Sequence, residues 1–297
     1  MKKYIALLLA LSMLFALGAC GSQKADTDNN ASAPAASGET VKSGVEDGTL
    51  TIAMECAYAP YNWTQADDAN GAVPIKDSSD YANGYDIMIA KKICEANGWK
   101  LEVERLDWDS LVPAVQTGKA DAVIAGQSMT AERSQEVDFA GPYYYASIVC
   151  LTKKDSKFAS AKGLAELSGG TCTAQQGTIW YETCLPQIKG AKVQTATESA
   201  PAMLMALESG TVDFVCTDVP TAKCALLAYP DMTILDFSSG SDDFKVDEGL
   251  INIGVSVRKG NTSLKDDINK VLQTMTKDDF NSLMDQATKL APAQNAA

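Results

Sequence analysis

The chain has 297 residues, 46% of them hydrophobic and 21% charged, with 25 Lys+Arg against 38 Asp+Glu and a formal net charge of −13. That length suits one large domain or two ordinary ones with a core that needs no metal or disulfide. The acidic balance argues against nucleic acid as a partner, since phosphate binding needs a basic surface. The sequence contains no histidine, which excludes Ser-His-Asp and Cys-His nucleophile systems, His-ligated zinc and His proton shuttles together.

Lys2 and Lys3 precede an uncharged apolar stretch from Tyr4 to Leu17. That is the size of the apolar region of an export signal and short for a hydrocarbon layer of ~30 Å. The stretch runs into Leu17-Gly18-Ala19-Cys20, which resembles a bacterial lipobox. The resemblance implies a signal peptide over residues 1–19, cleavage before Cys20 and lipidation of Cys20; the alternative is an ordinary signal peptide with a chance cysteine. Residues 20–46 then read as the lipidated Cys and a flexible tether, because Ser, Ala, Asn, Asp, Thr and Gly dominate and large apolar residues are nearly absent. Seven further cysteines follow without a CxxC pair. An odd number leaves at least one unpaired within the chain; we expect all seven free, with Cys172–Cys184 as the alternative pair.

From Thr49 short β-rich runs alternate with helical patterns, which points to an α/β fold with helix-flanked parallel sheets. Leu50–Met54 reads as a strand, and Ile87, Ala90, Ile93 and Cys94 mark one face of a helix ending at Asn97-Gly98. Leu101–Leu106 starts as an alternating strand, Asp109 reads as the N-cap of a helix closed by Gly118, and residues 121–125 form a buried strand. The second half brings a strand over 171–175 and a helix over 199–209 with Ala202, Met203, Ala206 and Leu207 on one face. Strands over 212–216 and 251–257 and two helices near 262–275 and 277–290 complete it. Gly118-Lys119-Ala120-Asp121-Ala122-Val123 and Gly210-Thr211-Val212-Asp213-Phe214-Val215 share the pattern G-x-x-D-x-V. The echo suggests two similar lobes, each offering a loop at the carboxyl end of a parallel strand, where open α/β sheets bind ligands.

Candidate site residues lie in those loops. Thr130 can cap a helix start that carries Arg133, and an Arg fork beside free helix-start amides suits a carboxylate; the other reading is a surface Arg paired with Glu136 or Asp138. Gln175-Gln176-Gly177-Thr178 places a hydroxyl and an N–H at a helix start, or is a plain cap. Asp218 suits an ammonium, or caps the helix that Pro220 starts. Tyr58, Tyr61, Trp63 and Trp108 sit in loops, where aromatics either line a ligand or close the core. Glu55 ends the first strand, where a cleft would be. Walker A, GxSxG and GxGxxG motifs are absent from the sequence.

Six segments together resemble the type II solute-binding proteins of polar amino-acid ABC importers, the extracellular solute-binding protein family 3. They are residues 57–61, 84–90, 108–121, 129–143, 176–178 and 257–261. The resemblance implies two Rossmann-like lobes joined by two hinge strands: lobe 1 over 47–144 plus 252–292, and lobe 2 over 145–251, with crossings near Tyr144–Ala146 and Leu250–Ile253. It implies that Arg133 clamps the α-carboxylate with Ser128 and Thr178 as further donors. Asp218 would take the α-ammonium with a carbonyl near Gly126, Tyr58 and Trp108 would enclose the side chain, and Glu55 would stand where members for polar or cationic side chains are often acidic. Two carboxylates against one cation favour a basic amino acid over a neutral polar one. The implied protein is a monomeric receptor without cofactor or catalytic residue, lipid-anchored on the extracytoplasmic face of the cell membrane and delivering an amino acid to an ABC permease. A lipid-anchored amino-acid sensor and a cyclohexadienyl-dehydratase-like enzyme on the same scaffold are the alternatives. Residues 65–83 run longer than the family's usual turn and are expected to decorate lobe 1.

Overall fold

The computed structural model describes residues 41–291; the signal segment 1–19, Cys20 and most of the tether lie outside the described residues. Packed chain begins before Asp47: Val45 is buried, and Asn261 donates to the Ser43 carbonyl at 2.9 Å.

Strand β1 (Thr49–Met54) is buried throughout from Ile52 onward, as expected of a parallel strand covered on both faces. The chain then makes a small antiparallel sheet from β2 (Ala57–Tyr58), β3 (Asn62–Gln65), β4 (Val73–Pro74) and β5 (Tyr81–Asn83). The long stretch 65–83 is the outer part of that sheet, and a bridge from Ile75 to Val103 ties it to the rest of the fold. Helix α1 (Tyr85–Asn97) buries Ile87, Ile89, Ala90, Ile93 and Cys94 and stops where Gly98 turns left-handed at φ 71°. Strand β6 (Lys100–Arg105) and helix α2 (Leu111–Thr117) lead to β7 (Ala122–Val123), and the short α3 (Arg133–Glu136) to the long strand β8 (Val137–Tyr145).

The second set comprises β9 (Ile148–Lys153), β10 (Thr171–Thr173), β11 (Lys192–Val193), α4 (Ala200–Glu208), β12 (Phe214–Asp218), α5 (Val219–Ala228) and β13 (Met232–Leu235). After α6 (Glu248–Ile251) the chain rejoins the first set as β14 (Asn252–Arg258), and α7 (Thr262–Leu272) and α8 (Lys277–Leu290) pack on its β8 edge. The two five-stranded sheets are ordered β6-β1-β7-β14-β8 and β11-β10-β12-β9-β13. Position by position they match: two parallel pairings, then two antiparallel ones.

The G-x-x-D-x-V echo has a physical basis in this plan. Asp121 accepts from the Thr51 amide at 2.9 Å, and Asp213 accepts from the Thr171 amide at 2.7 Å. In each lobe the aspartate fastens the start of one parallel strand to its neighbour.

Several expected boundaries shift. The 212–216 strand is β12 at Phe214–Asp218, because Asp213 is spent on Thr171 before the ladder begins. Regular pairing of the 121–125 and 171–175 strands stops at Val123 and Thr173, where the chain leaves the sheet to form cleft loops. Asp109 is not an N-cap: it lies inside a 3-10 turn, Trp108–Ser110, and its carboxylate accepts from Gln176. On α4 the buried face is Ala200, Met203, Leu204 and Leu207, and Ala202 is exposed; Ser199 caps the helix through the Ala202 amide, which turns Ala202 outward. All seven cysteines after Cys20 are free and buried.

The two chain crossings are adjacent. Tyr145, the last residue of β8, pairs with Asn252, the first of β14, and the Ala146 amide donates to the Ile251 carbonyl at 3.4 Å.

If the two aspartates do the same work, Asp121→Ala and Asp213→Ala should each lower stability by about 1–3 kcal/mol, because each leaves a threonine amide without its acceptor. Urea unfolding of the two variants measures it.

Candidate functional site

The carboxyl ends of β1, β7, β10 and β12 face one another, and the loops that follow them meet in the cleft. Residues 126–129 follow β7 and are held by both crossing strands. The Gly126 amide donates to the Tyr143 hydroxyl at 3.0 Å on β8; the Gln127 carbonyl accepts from Gly254 at 3.0 Å and the Met129 amide donates to Asn252 at 2.9 Å on β14. Gly126 has φ +65°, and a Cβ there would stand 2.7 Å from Cε1 of Tyr58. Only glycine lets the loop and the ring lie this close.

Arg133 opens the one-turn α3, its amide donating to Oγ1 of Thr130 at 3.2 Å. Its Nη1 donates to the Ser128 carbonyl at 2.9 Å and its Nη2 crosses the cleft to the Gly177 carbonyl at 2.6 Å. The guanidinium stands 5.2 Å from the ring centre of Trp108. Asp138 is paired with Lys259 and Glu136 accepts from Gln116, so neither holds Arg133. Burial without an anionic partner brings the guanidinium down to about 10.

On the other lobe, Asp218 ends β12 and performs two tasks. Oδ1 caps α5 through the Thr221 amide at 2.9 Å, while Oδ2 accepts from the hydroxyls of Tyr58 and Tyr61, each at 2.9 Å. The residue is 1% exposed, and burial raises its carboxyl above the usual range despite those donors. Thr178 donates to the Gln175 carbonyl at 2.7 Å and stabilises the turn through Gly177.

The structure brings Tyr58, Trp108, Gly126, Ser128, Arg133 and Thr178 around one narrow throat of about 20 Å³, roughly the room for one water. Asp218 stands behind the tyrosine hydroxyls. Glu55 opens instead on a side cavity of about 560 Å³ shared with Asp107, Asp109, Glu198 and the flank of Trp108. Its carboxylate accepts weakly from Gln175 across the cleft at 3.3 Å. Burial, reinforced by Asp107 and Asp109, pushes its pKa up to about 7. Trp180 was not singled out from the sequence, and Tyr61 and Gln175, named there among the loop candidates, were given no ligand role. Tyr61 stacks on Tyr58 at 4.7 Å and shares its bond to Asp218; Trp180 meets the Tyr58 edge at 5.9 Å; Gln175 holds Glu55. The Tyr58-Ala59-Pro60-Tyr61 spacing was the available signal for Tyr61, and nothing comparable marks Trp180.

A family sequence model described as bacterial extracellular solute-binding proteins, family 3, matches residues 50–287. The chain belongs to this family. Among its relatives, a protein named as a probable histidine-binding protein of Neisseria gonorrhoeae is 30% identical over 92% of this chain and 90% of its own length. The L-cystine-binding protein TcyA of Bacillus subtilis (strain 168) is 28% identical over 94% of each. Among solved structures, an amino acid ABC transporter substrate-binding protein from Streptococcus pneumoniae bound to L-arginine aligns with a TM-score of 0.72 at 28% identity, covering 84% of this chain and 99% of that one. The fold is accordingly that of the type II periplasmic binding proteins, with two lobes facing a cleft.

The raised Glu55 carboxyl carries a stability consequence. The fold favours the neutral acid, so the group destabilises least below its ordinary pKa of 4.5, and stability declines as pH rises from there to about 7. Glu55→Gln should flatten that part of the stability–pH curve, and the difference between variant and parent melting temperatures should widen between pH 5 and pH 7, as read by calorimetric scans.

Proposed function

We propose that this family 3 protein is the receptor of an ABC importer and captures a free amino acid between its lobes. The observation that carries the reading is that Arg133 lines a narrow throat together with Tyr58, whose hydroxyl reaches the buried Asp218 of the other lobe at 2.9 Å, so that each lobe brings one charge to the same region. A zwitterion needs that arrangement: a planar fork for its carboxylate and a carboxylate for its ammonium. On this reading Ser128 and Thr178 supply further donors to the carboxylate, and the Gly126 carbonyl is a second ammonium acceptor. Tyr58 spans the throat to Asp218, so the lobes must part and that ring must swing before a ligand fits. Closure then follows by bending at the two adjacent crossings, which absorb the backbone change.

A basic side chain suits the remaining charges best. Running past Trp108, it would reach the cavity where Glu55, Asp107, Asp109 and Glu198 gather, a field that repels carboxylates and attracts ammonium or guanidinium groups. Relatives named for histidine and cystine and a structural neighbour bound to arginine lie within the range of this reading; the acidic side cavity favours arginine, whose far end is a net cation, over cystine, whose far end is a second zwitterion. The reported relatives are named as binding proteins, and the proposal assigns no catalytic residue. A thermal-shift screen against the twenty common amino acids tests the class, since a ligand at 100 times its Kd adds about 2.7 kcal/mol to stability.

The family is extracellular, and among the described residues no helix is long and apolar enough to cross a membrane. We assign attachment to Cys20, as a lipoprotein acting as a monomer beside its permease. Cys20→Ala should abolish incorporation of labelled palmitate; equal labelling of both proteins rejects the anchor.

Arg133 offers the sharpest test of the site. Removing one partner of a buried charge pair costs about 2–5 kcal/mol, so Arg133→Ala should weaken L-arginine binding by about 30- to 4,000-fold. Arg133→Lys should recover part of that loss, because an ammonium cannot supply two parallel bonds. Near-equal calorimetric affinities across the three proteins would remove Arg133 from the site.

A further inference from the structure

A second buried carboxylate lies on the other side of the cleft loop, and no ligand role accounts for it. Asp86, in the first turn of α1, is 0% exposed. Its Oδ2 accepts from Nδ2 of Asn62 at 2.8 Å and its Oδ1 from the hydroxyl of Tyr143 at 2.7 Å. Having donated to Asp86, the Tyr143 hydroxyl accepts from the Gly126 amide at 3.0 Å. A phenol has one proton, so the direction of this relay is set: the carboxylate fixes where the hydroxyl proton points, which leaves a lone pair toward Gly126. Burial raises the Asp86 carboxyl to about 7, a cost that an apolar residue at this position would avoid. The same residue organises the aromatic loop, because its amide donates to the Tyr61 carbonyl at 2.8 Å and that of Tyr85 to Pro60 at 3.0 Å.

We infer that Tyr143 and Asp86 are positioning residues for ligand binding: Tyr143 holds the Gly126 loop onto the outgoing crossing strand, and Asp86 holds Tyr143. This rests on the reading that Gly126 and Ser128 face the ligand. Gly126 has the left-handed backbone at φ +65°, a conformation one amide bond helps to keep. The loop is then gripped on one side by β8 through Tyr143 and on the other by β14 through Asn252 and Gly254. Both strands lead directly into the crossings, so the backbone that touches the ligand is bonded to the strands that bend. Losing the Tyr143 hydroxyl would loosen the Gly126 end, leaving its amide only the pull of the Asp86 carboxylate, while the β14 end stays in place.

The test uses the full chain and three substitutions. Tyr143→Phe removes only the hydroxyl, Asp86→Asn removes the charge that orients it, and Tyr85→Phe removes a neighbouring hydroxyl that donates to the Tyr143 carbonyl and not to the loop. Amide hydrogen exchange of the ligand-free protein should show Gly126 protected in the parent and exchanging at least about tenfold faster in Tyr143→Phe, because its hydrogen bond is gone. Calorimetry should show L-arginine bound about 10- to 100-fold more weakly by Tyr143→Phe and Asp86→Asn, the loss of one buried hydrogen bond and its geometry. Tyr85→Phe should lower the melting temperature with little change in affinity. Unchanged Gly126 exchange in Tyr143→Phe overturns the inference, as does an equal affinity loss in Tyr85→Phe, which would mark a merely structural effect. Should Arg133→Ala bind L-arginine as the parent does while Gly126 exchange still rises in Tyr143→Phe, the receptor reading falls and the loop–strand link stands.

Discussion

The antiparallel pairing of β8 with β14 is the constraint on which the cleft depends. These strands close one edge of the first sheet and carry both chain crossings side by side. Because the crossings are adjacent, relative movement of the lobes needs only the few backbone angles near Tyr145–Ala146 and Ile251–Asn252 to change. The loop over residues 126–129 hangs between the same two strands, and Arg133 is reached by the short stretch that follows it. One hydrogen-bonded ladder thus sets the position of the proposed binding loop, of the Arg133 fork and of the proposed hinge.

Closure leaves neither the Asp218 carboxylate nor the Arg133 guanidinium without hydrogen-bond partners. Asp218 is satisfied by a helix amide and two phenol hydroxyls, and Arg133 by two backbone carbonyls. Neutral partners of this kind keep buried charges hydrogen-bonded without neutralising them. Burial therefore still lowers the Arg133 pKa and raises that of Asp218, in the latter case against the pull of its donors. Each group is held in a state where an opposite charge would improve its surroundings.

Much of this was legible in the sequence where local chemistry and tertiary role coincide. Gly98 and Gly118 mark helix ends because left-handed C-caps need no Cβ there. Asp218 reads as both cap and acceptor because it sits between a buried strand and Pro220, and it serves in both ways: cap to α5, acceptor to two hydroxyls. Other features were hidden because long-range partners decide them. Asp109 has the composition of a cap, yet its partner is Gln176 of the opposite lobe, some seventy residues away. Asp86 lies in the 84–90 segment and has no assigned role from the sequence; only the fold reveals its bonds to Tyr143 and Asn62. The small sheet around residues 65–83 shows no periodic signal, since its strands are two to four residues long.

The tyrosine pair also bears on what binding can gain. A buried Asp218 without donors would cost the closed form several kcal/mol, so Tyr58 and Tyr61 lower the free energy of closure in the absence of a zwitterion. An incoming ammonium therefore exchanges hydrogen bonds from neutral hydroxyls for bonds from an opposite charge, and does not rescue an unpaired carboxylate. The gain at that end is the difference between two satisfied states. At the carboxylate end Arg133 has only carbonyl partners to give up, and the proposed ligand supplies the first carboxylate bonded to a guanidinium that otherwise feels only Glu132 nearby. On this accounting the recognition energy is weighted toward the carboxylate, with the Asp218 end contributing more to selectivity: a ligand lacking an ammonium would leave the tyrosines where they are, and the throat closed.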